Sequence, residues 1–205
     1  MTRIAAIIPV GTLAGAKSRL GDSLDAEERE ELVGGLLART VVAALAVDRL
    51  DDVLVVSPDR EVLRRAADLG ARTLRQRSRG LNAGLTEARA DVVAGGAEAI
   101  VVLPIDLPFV TSTAIAAILD PLEFSLRTVV LATDRHATGT NALALLPPDV
   151  IDFAFGPGSR RAHRTAAEIT GAAYHEVAGR LTVDLDTADD LVFVESIAAE
   201  EIGVG

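Results

Sequence analysis

An aspartate in the segment 104–108 stands where a carboxylate can meet a ligand rather than bulk water. Asp106 lies between two apolar residues that are themselves flanked by prolines. A carboxylate in such a crevice needs a partner, or its charged form is disfavoured. Mg²⁺ commonly uses one or two carboxylates together with substrate phosphates. We therefore predict that Asp106 binds a metal ion; the alternative is a turn or capping aspartate before a helix near Thr111.

A second acidic stretch, Val183 to Leu191, contains four aspartates. Thr187 and Asp190 have the spacing of a capping box, and Asp189 and Asp190 would lie in the first helical turn, so helix structure alone explains two of the four carboxylates. Asp184 and Asp186 are two residues apart in a strand-like stretch, so both are expected to point to one face. Two such charges repel unless a cation lies near them, and with the aspartate of segment 104–108 they could hold one or two Mg²⁺ ions.

The loop from Gly11 to Leu20 has the composition of an anion-binding loop. Its small residues let backbone N–H groups approach an anion, and Lys17 and Arg19 add positive charge. Lys17 is the single lysine among 20 basic residues, which suggests that its compact ammonium is needed. The loop has neither the Walker A pattern nor G-x-G-x-x-G. The interpretation is phosphate binding; the alternative is a flexible loop with two solvated bases.

Two further segments suit an anionic substrate. Residues 137–141 offer hydroxyls, including that of Thr140, next to a predicted strand. Residues 155–159 form a glycine-rich turn with Gly156 and Ser159 at a helix start, where unpaired N–H groups attract anions. An ordinary Ser159 N-cap is the competing interpretation. The three histidines, at positions 136, 163 and 175, are interpreted as surface or packing residues.

Composition excludes several classes of protein. The chain has 205 residues, 49% of them hydrophobic, a formal net charge of −10 and no cysteine. Disulfides, thiolate metal sites and cysteine nucleophiles are therefore excluded. The acidic balance argues against nucleic acid as a partner, and no apolar stretch is long enough for a membrane helix. We expect a cytoplasmic protein of one domain, residues 1–205.

Apolar periodicity predicts alternating strands and helices. The predicted strands are Ile4–Val10, Asp52–Ser57, Ala99–Ile105, Arg127–Thr133, Asn141–Leu146, Ala173–Val177 and Leu181–Asp184. The predicted helices are Ala26–Val47, Asp59–Leu69, Leu81–Gly95, Thr111–Leu119, Ser159–Ile169 and Ala188–Ala199. The alternation predicts an α/β fold with a mixed, mainly parallel sheet and helices on both faces. Ligands of such sheets collect at the carboxyl ends of the strands, where the segments above begin.

Taken together, these segments resemble the guanylyltransferase family that activates a small phosphorylated acid for coenzyme F(420) biosynthesis. The resemblance runs from Ile7 to about Val194. It is carried by AKSRL (16–20), VVSPD (55–59), GLNAGL (80–85), VVLPIDLP (101–108), TGTNAL (138–143), FGPGSRRAH (155–163) and DLDTADDL (184–191). It implies a glycosyltransferase-A-like nucleotidyltransferase fold and an enzyme that uses GTP, Mg²⁺ and either phosphoenolpyruvate or 2-phospho-L-lactate.

The resemblance also implies a role for each matching residue. The triphosphate would be held by Gly11, Lys17 and Arg19, and the guanosine would lie near Ser57, Pro58, Asp59 and Asn82. The metal ligands would be Asp106, Asp184 and Asp186, and the phosphorylated acid would be received by Thr140, Gly156 and Ser159. Catalysis would rest on Lys17, Arg19 and Asp106.

The implied reaction transfers GMP from GTP to the acceptor phosphate and releases pyrophosphate. We expect phosphoenolpyruvate as the acceptor. The alternatives are transfer to 3-phosphoglycerate, molybdopterin or a sugar phosphate, or a non-catalytic nucleotide-binding module in which the three aspartates are dispensable. The sequence leaves a homodimer open.

Overall fold

A computed structural model describes residues 2–12 and 24–203 of the chain. The strands are β1 (Ile4–Pro9), β2 (Asp52–Ser57), β3 (Arg72–Arg75), β4 (Ala99–Val102), β5 (Thr128–Ala132), β6 (Ala142–Leu146) and β7 (Ala173–Val177). The α-helices are α1 (Ala26–Leu45), α2 (Arg60–Asp68), α3 (Leu81–Ala94), α4 (Ser112–Leu119), α5 (Ser159–Thr170) and α6 (Ala188–Gly203). Two 3₁₀-helices cover Asp120–Glu123 and Arg180–Thr182.

The seven strands form one sheet in the order β3-β2-β1-β4-β6-β5-β7. Strands β3, β2, β1 and β4 are parallel neighbours, and β7 is parallel to β5. Strand β6 is antiparallel to both β4 and β5. The prediction of a mixed, mainly parallel sheet is confirmed.

Each face of the sheet is covered by helices, because the central strands are apolar on both sides. On β1, Ala6 and Ile8 pack into the core that includes α1, α2 and α4. Ala5 and Ile7 pack on the opposite face with residues of α3 and α5. Helix α1 packs one apolar face on the sheet, with Leu37 fully buried.

Local side chains fix where several helices begin. Asp25 caps α1 in a full capping box with Glu28. Thr111 caps α4 by accepting a hydrogen bond from the N–H of Ala114 at 3.2 Å. Because Thr111 serves this cap, the helix start does not require Asp106 as its N-cap.

One predicted strand is absent from the structure, one strand was not predicted, and one predicted strand is shorter than expected. The strand predicted at Leu181–Asp184 is wrong, because residues 180–182 form a 3₁₀-helix and residues 183–186 have no regular structure. Strand β3 was not predicted, and β4 ends at Val102 rather than at residue 105. Within the described ranges, no helix is both long enough and apolar enough to span a membrane.

Candidate active site

The carboxyl ends of β1, β2 and β4 meet at one edge of the sheet because these strands are parallel. The antiparallel β6 brings its first residues, rather than its last, to the same edge. The loops after β1, β2 and β4 and the loop before β6 therefore share one side of the molecule. Most residues singled out in the sequence lie in these loops.

The loops after β1 and β2 are joined at Ser57. This residue is fully buried, and its hydroxyl donates a hydrogen bond to the carbonyl of Gly11 at 3.2 Å. The same hydroxyl accepts a hydrogen bond from the N–H of Asp59 at 3.0 Å. The Asp59 carboxylate caps α2 through the N–H of Glu61, and Pro58 is exposed between them. The structure thus brings together four residues predicted on the nucleotide side.

Lys17 and Arg19 lie outside the described residues. Their contact with the triphosphate therefore stays a prediction from the sequence.

Asn82, at the start of α3, holds the backbone of a distant loop. Its Nδ2 donates a hydrogen bond to the carbonyl of Phe155 at 3.0 Å, and its Oδ1 accepts one from the N–H of Phe155 at 2.9 Å. Phe155 begins the glycine-rich turn that was predicted to receive the acid. Asn82 therefore ties the predicted nucleotide side to the predicted acceptor side, a role that the sequence did not suggest.

The turn before α3 is organised by two side chains that the sequence analysis did not select. Gln76 donates hydrogen bonds to the carbonyls of Ser78 and Gly80, each at 3.0 Å. Glu87 accepts hydrogen bonds from the backbone N–H groups of Arg77 and Ser78. These bonds fix residues 76–80 beside Asn82.

The loop after β4 is joined to the acidic segment before α6. The N–H of Leu185 donates a hydrogen bond to the backbone carbonyl of Asp106 at 2.9 Å. Asn141, the residue before β6, donates from Nδ2 to a carboxylate oxygen of Asp184 at 3.5 Å. Segments that are distant in sequence, and that carry the three predicted metal ligands, thus lie side by side.

Two carboxylates of the acidic segment differ in their environment: that of Asp190 has several hydrogen-bond donors, whereas burial disfavours the charged form of Asp184. Asp190 is buried, accepts hydrogen bonds from the N–H groups of Asp186 and Thr187, and pairs with Arg135 at 2.6 Å. The reciprocal bond from its own N–H to the Thr187 hydroxyl confirms the predicted capping box. In contrast, burial raises the pKa of Asp184, and the charges of neighbouring aspartates add to that effect.

Across residues 2–12 and 24–203, no three aspartate, glutamate or histidine side chains converge as a ready metal cluster. Asp106, Asp184 and Asp186 therefore do not form such a cluster, although hydrogen bonds join the segments that carry them. Their binding of Mg²⁺ stays a prediction from the sequence.

The glycine-rich turn has a backbone that requires glycine. Gly156 and Gly158 have φ of +132° and +73°, and a side chain at either position would meet no atom within 4 Å. Backbone conformation, rather than space, thus favours glycine at both positions. Gly158 is the N-cap of α5 and Ser159 is its first residue, so the competing interpretation of a Ser159 cap is wrong.

Thr140 and the start of α5 are held together by backbone and side-chain bonds. The N–H of Arg160 donates to the carbonyl of Thr138 at 3.3 Å. The Thr140 hydroxyl lies 3.0 Å from Nδ1 of His163, which is fully buried on α5. The three residues predicted to receive the acid, Thr140, Gly156 and Ser159, therefore belong to two connected loops.

His163 connects these loops to the one that Asn82 holds. Its Nε2 accepts a hydrogen bond from the N–H of Ala154 at 3.0 Å, and its ring lies edge-on to Phe155 with centroids 5.2 Å apart. Burial lowers the pKa of His163 to about 4, so the ring is neutral at pH 7. The sequence interpretation of a packing residue is confirmed as to burial but missed these polar contacts.

A family model described as "Guanylyl transferase CofC like" matches residues 4–197. The chain belongs to this CofC-like guanylyltransferase family. It is therefore an enzyme of the nucleotidyltransferase class, and the family resemblance stated from the sequence is confirmed.

Curated relatives align with this chain over nearly its full length and nearly their own full length. The phosphoenolpyruvate guanylyltransferase of Rubrobacter xylanophilus is 44% identical over 94% of this chain and 94% of its own. That of Sphaerobacter thermophilus is 43% identical over 93% and 91%. A solved nucleotidyl transferase from Methanothermobacter thermautotroptrophicus shares the fold, with a TM-score of 0.68 and 17% identity over 98% of this chain and 100% of that one.

Proposed function

We propose that this CofC-like protein transfers GMP from GTP to the phosphate of phosphoenolpyruvate and releases pyrophosphate. The observation that carries the proposal is the junction of the Asp106 loop with the Asp184–Asp186 segment, at the sheet edge where the predicted nucleotide and acceptor loops meet. The names of the two bacterial relatives support phosphoenolpyruvate as the acceptor. On the family resemblance stated from the sequence, the product would enter coenzyme F(420) biosynthesis.

The proposed reaction needs no general base. A phosphate oxygen of the acceptor attacks the α-phosphorus of GTP, the bond between the α-phosphorus and the bridging oxygen breaks, and pyrophosphate leaves with that electron pair. The second pKa of a phosphate monoester is about 6, so the acceptor is already largely dianionic near pH 7. The protein must instead bring two anions together in line.

In this proposal each group of residues has one task. Gly11, Lys17 and Arg19 hold the triphosphate, while Ser57, Pro58, Asp59 and Asn82 define the guanosine side. Thr140, Gly156 and Ser159 receive the phosphorylated acid. The hydroxyl of Thr140 and the backbone N–H of Gly156 would supply hydrogen-bond donors to an anion, whereas the N–H of Ser159 donates to the carbonyl of Gly156 at 3.1 Å and closes the turn.

Asp106, Asp184 and Asp186 would hold Mg²⁺ in the proposed enzyme. The raised pKa of Asp184 supports this assignment, because a nearby cation would favour its charged form. The ion would neutralise charge on the triphosphate and leaving pyrophosphate. Asn141 would orient the carboxylate of Asp184 through its Nδ2 bond.

The test is pyrophosphate release by the purified protein with Mg²⁺ and GTP. We expect release with phosphoenolpyruvate, loss of release on adding EDTA, and recovery on adding excess Mg²⁺. Parallel reactions contain 2-phospho-L-lactate, 3-phosphoglycerate, or ATP in place of GTP as the nucleotide control. Absence of release with all three acids would overturn the proposed function, and faster turnover of another acid would replace the acceptor alone.

A further inference from the structure

The ring of His163 has a fixed arrangement of its single proton. Its Nε2 lies 3.0 Å from the backbone N–H of Ala154. A backbone N–H can only donate, so Nε2 must accept and carries no proton. In the neutral ring the proton is then on Nδ1.

The position of this proton determines whether the Thr140 hydroxyl donates or accepts the hydrogen bond to His163. Nδ1 of His163 lies 3.0 Å from Oγ1 of Thr140. Because Nδ1 carries the proton, it donates and the hydroxyl oxygen accepts. The hydroxyl's own hydrogen is therefore directed elsewhere and can serve as a donor to another group.

An anionic substrate such as the phosphorylated acid needs hydrogen-bond donors from the protein. At pH 7 the carboxylate and phosphate of phosphoenolpyruvate carry only acceptor oxygens. If Thr140 instead donated its hydrogen to the ring, the lone pairs of its hydroxyl oxygen would face the anion and repel it. We propose that His163 is a positioning residue that orients the Thr140 hydroxyl as a hydrogen-bond donor to the phosphorylated acid; this inference rests on the proposed function.

The surroundings of His163 keep this arrangement in one state. The ring is fully buried between α5 and the loops before β6 and after residue 153, and Phe155 packs edge-on against it. The Phe155 backbone is in turn held by both ends of the Asn82 amide. The ring therefore has little freedom to rotate, flip or exchange its hydrogen-bond partners.

The proton position can be measured without any turnover. In ¹⁵N-labelled wild-type protein at pH 7, long-range ¹H–¹⁵N correlation spectra distinguish protonated from unprotonated ring nitrogens. The His163 signals are assigned by their loss in His163→Asn. We expect Nδ1 protonated and Nε2 unprotonated; a proton on Nε2 would overturn the inference even if the enzyme is active.

Kinetics test the consequence for the acceptor. His163→Leu removes both ring bonds and should raise KM for phosphoenolpyruvate about tenfold, since one donor to an anion is lost. KM for GTP should change less than about twofold, because the effect concerns the acceptor hydroxyl. His163→Asn, whose amide N–H can stand near the place of Nδ1, should restore part of the loss. His136→Asn, an exposed histidine on the loop of Thr140, is the matched control.

A double-mutant cycle separates positioning from general loosening. In the Thr140→Val background, which lacks the hydroxyl, His163→Leu should change KM for phosphoenolpyruvate less than about twofold. A full effect in that background, or an equal rise in KM for GTP, would overturn the positioning role. An inactive wild type would instead overturn the proposed function, so the two failures are distinguishable.

Discussion

Individual carboxylates at the candidate site differ in how far the protein itself satisfies them. Asp190 receives two backbone N–H bonds and an arginine, and although burial opposes it, hydrogen bonds from Thr187 and Asp186 hold its pKa below the usual value. The pKa of Asp184 is raised because the effect of burial outweighs that of the hydrogen bond from Asn141. Asp190 therefore fixes the backbone of the segment, whereas a bound cation would favour the charged form of Asp184.

Replacing Asp106 by asparagine should abolish guanylyl transfer. The amide keeps the size of the side chain but lacks its negative charge, so we expect the pyrophosphate-release rate to fall at least about 100-fold. Asp189→Asn is the matched control, since Asp189 is exposed in the first turn of α6 and should change the rate less than about twofold. Urea unfolding checks that both variants fold. An active, folded Asp106→Asn enzyme would exclude Asp106 as a metal ligand.

Buried His163 should make the protein less stable in mild acid. Its pKa is about 4 in the folded protein, against 6.5 for an unperturbed histidine, so the unfolded chain binds the proton first as pH falls. The free energy of unfolding therefore contains the full contribution of the neutral ring above pH 6.5. It falls by about 3 kcal/mol as the pH is lowered from 6.5 to 4. Urea unfolding of the wild type and of His163→Asn at several pH values measures the difference. Parallel pH profiles of the two proteins would contradict the assignment.

Residue roles were predictable where they depend on near neighbours in sequence. The capping residues Asp25 and Thr111 and the Thr187–Asp190 pair follow from spacing of three residues. The contact between His163 and Thr140 spans 23 residues and forms only when α5 packs against β5 and β7 of the sheet. Nothing local distinguishes His163 from the other two histidines, so sequence patterns could not assign it.

At the scale of elements, prediction succeeded for buried strands and failed for exposed or tightly turned segments. Strand β3 has the sequence RTLR, with exposed arginines, and is extended because it pairs with β2 at the sheet edge. The segment 181–184 has the alternation of a strand, but the N–H and hydroxyl of Thr182 both donate to the carbonyl of Gly179. Those two bonds close a 3₁₀ turn that periodicity cannot detect.

Two helix glycines should respond differently to replacement by alanine. Gly35, in α1, is exposed and an added methyl group would meet no atom within 4 Å, so Gly35→Ala should raise the free energy of unfolding by about 0.5–1 kcal/mol. Gly84, in α3, is the matched control because its added methyl would lie 2.6 Å from the Gln76 carboxamide. Gly84→Ala should show no gain, since Gln76 would lose its bonds to Ser78 and Gly80. Equilibrium urea unfolding compares the variants, and equal gains in both would contradict the packing around Gln76.

At the scale of the whole molecule, one sheet connects every part of the candidate site. The predicted nucleotide loops follow β1 and β2, the Asp106 loop follows β4, and the loop of Thr140 precedes β6. The four strands are consecutive neighbours in the sheet, in the order β2-β1-β4-β6. The fold class was predictable because the alternation of apolar runs and helical periods extends along the chain. The sequence analysis expected Asp106 to lie near Asp184 and Asp186, but the backbone bond from Leu185 to Asp106 was not predictable, because it depends on how the irregular segment 183–187 folds back on the sheet.

A single sheet should give a single unfolding transition, as the proposed one-domain organisation requires. We expect circular dichroism at 222 nm and the fluorescence of Tyr174, the one tyrosine, to report the same urea midpoint. Tyr174 lies on β7 at one sheet edge, whereas the dichroism averages over all helices. Two separated midpoints would show that the chain unfolds in independent parts.

The paired hydrogen bonds from the Asn82 amide to Phe155 set a rule for anyone who would re-engineer acceptor choice. Both contacts are made to main-chain atoms, so Asn82 constrains the path of the chain at position 155, while the Phe155 ring separately packs against His163. A turn transplanted from another transferase would have to offer the same peptide group to Asn82, or bring its own anchor. Libraries are therefore best begun at Pro157, which is exposed between the two glycines and leaves that anchor untouched.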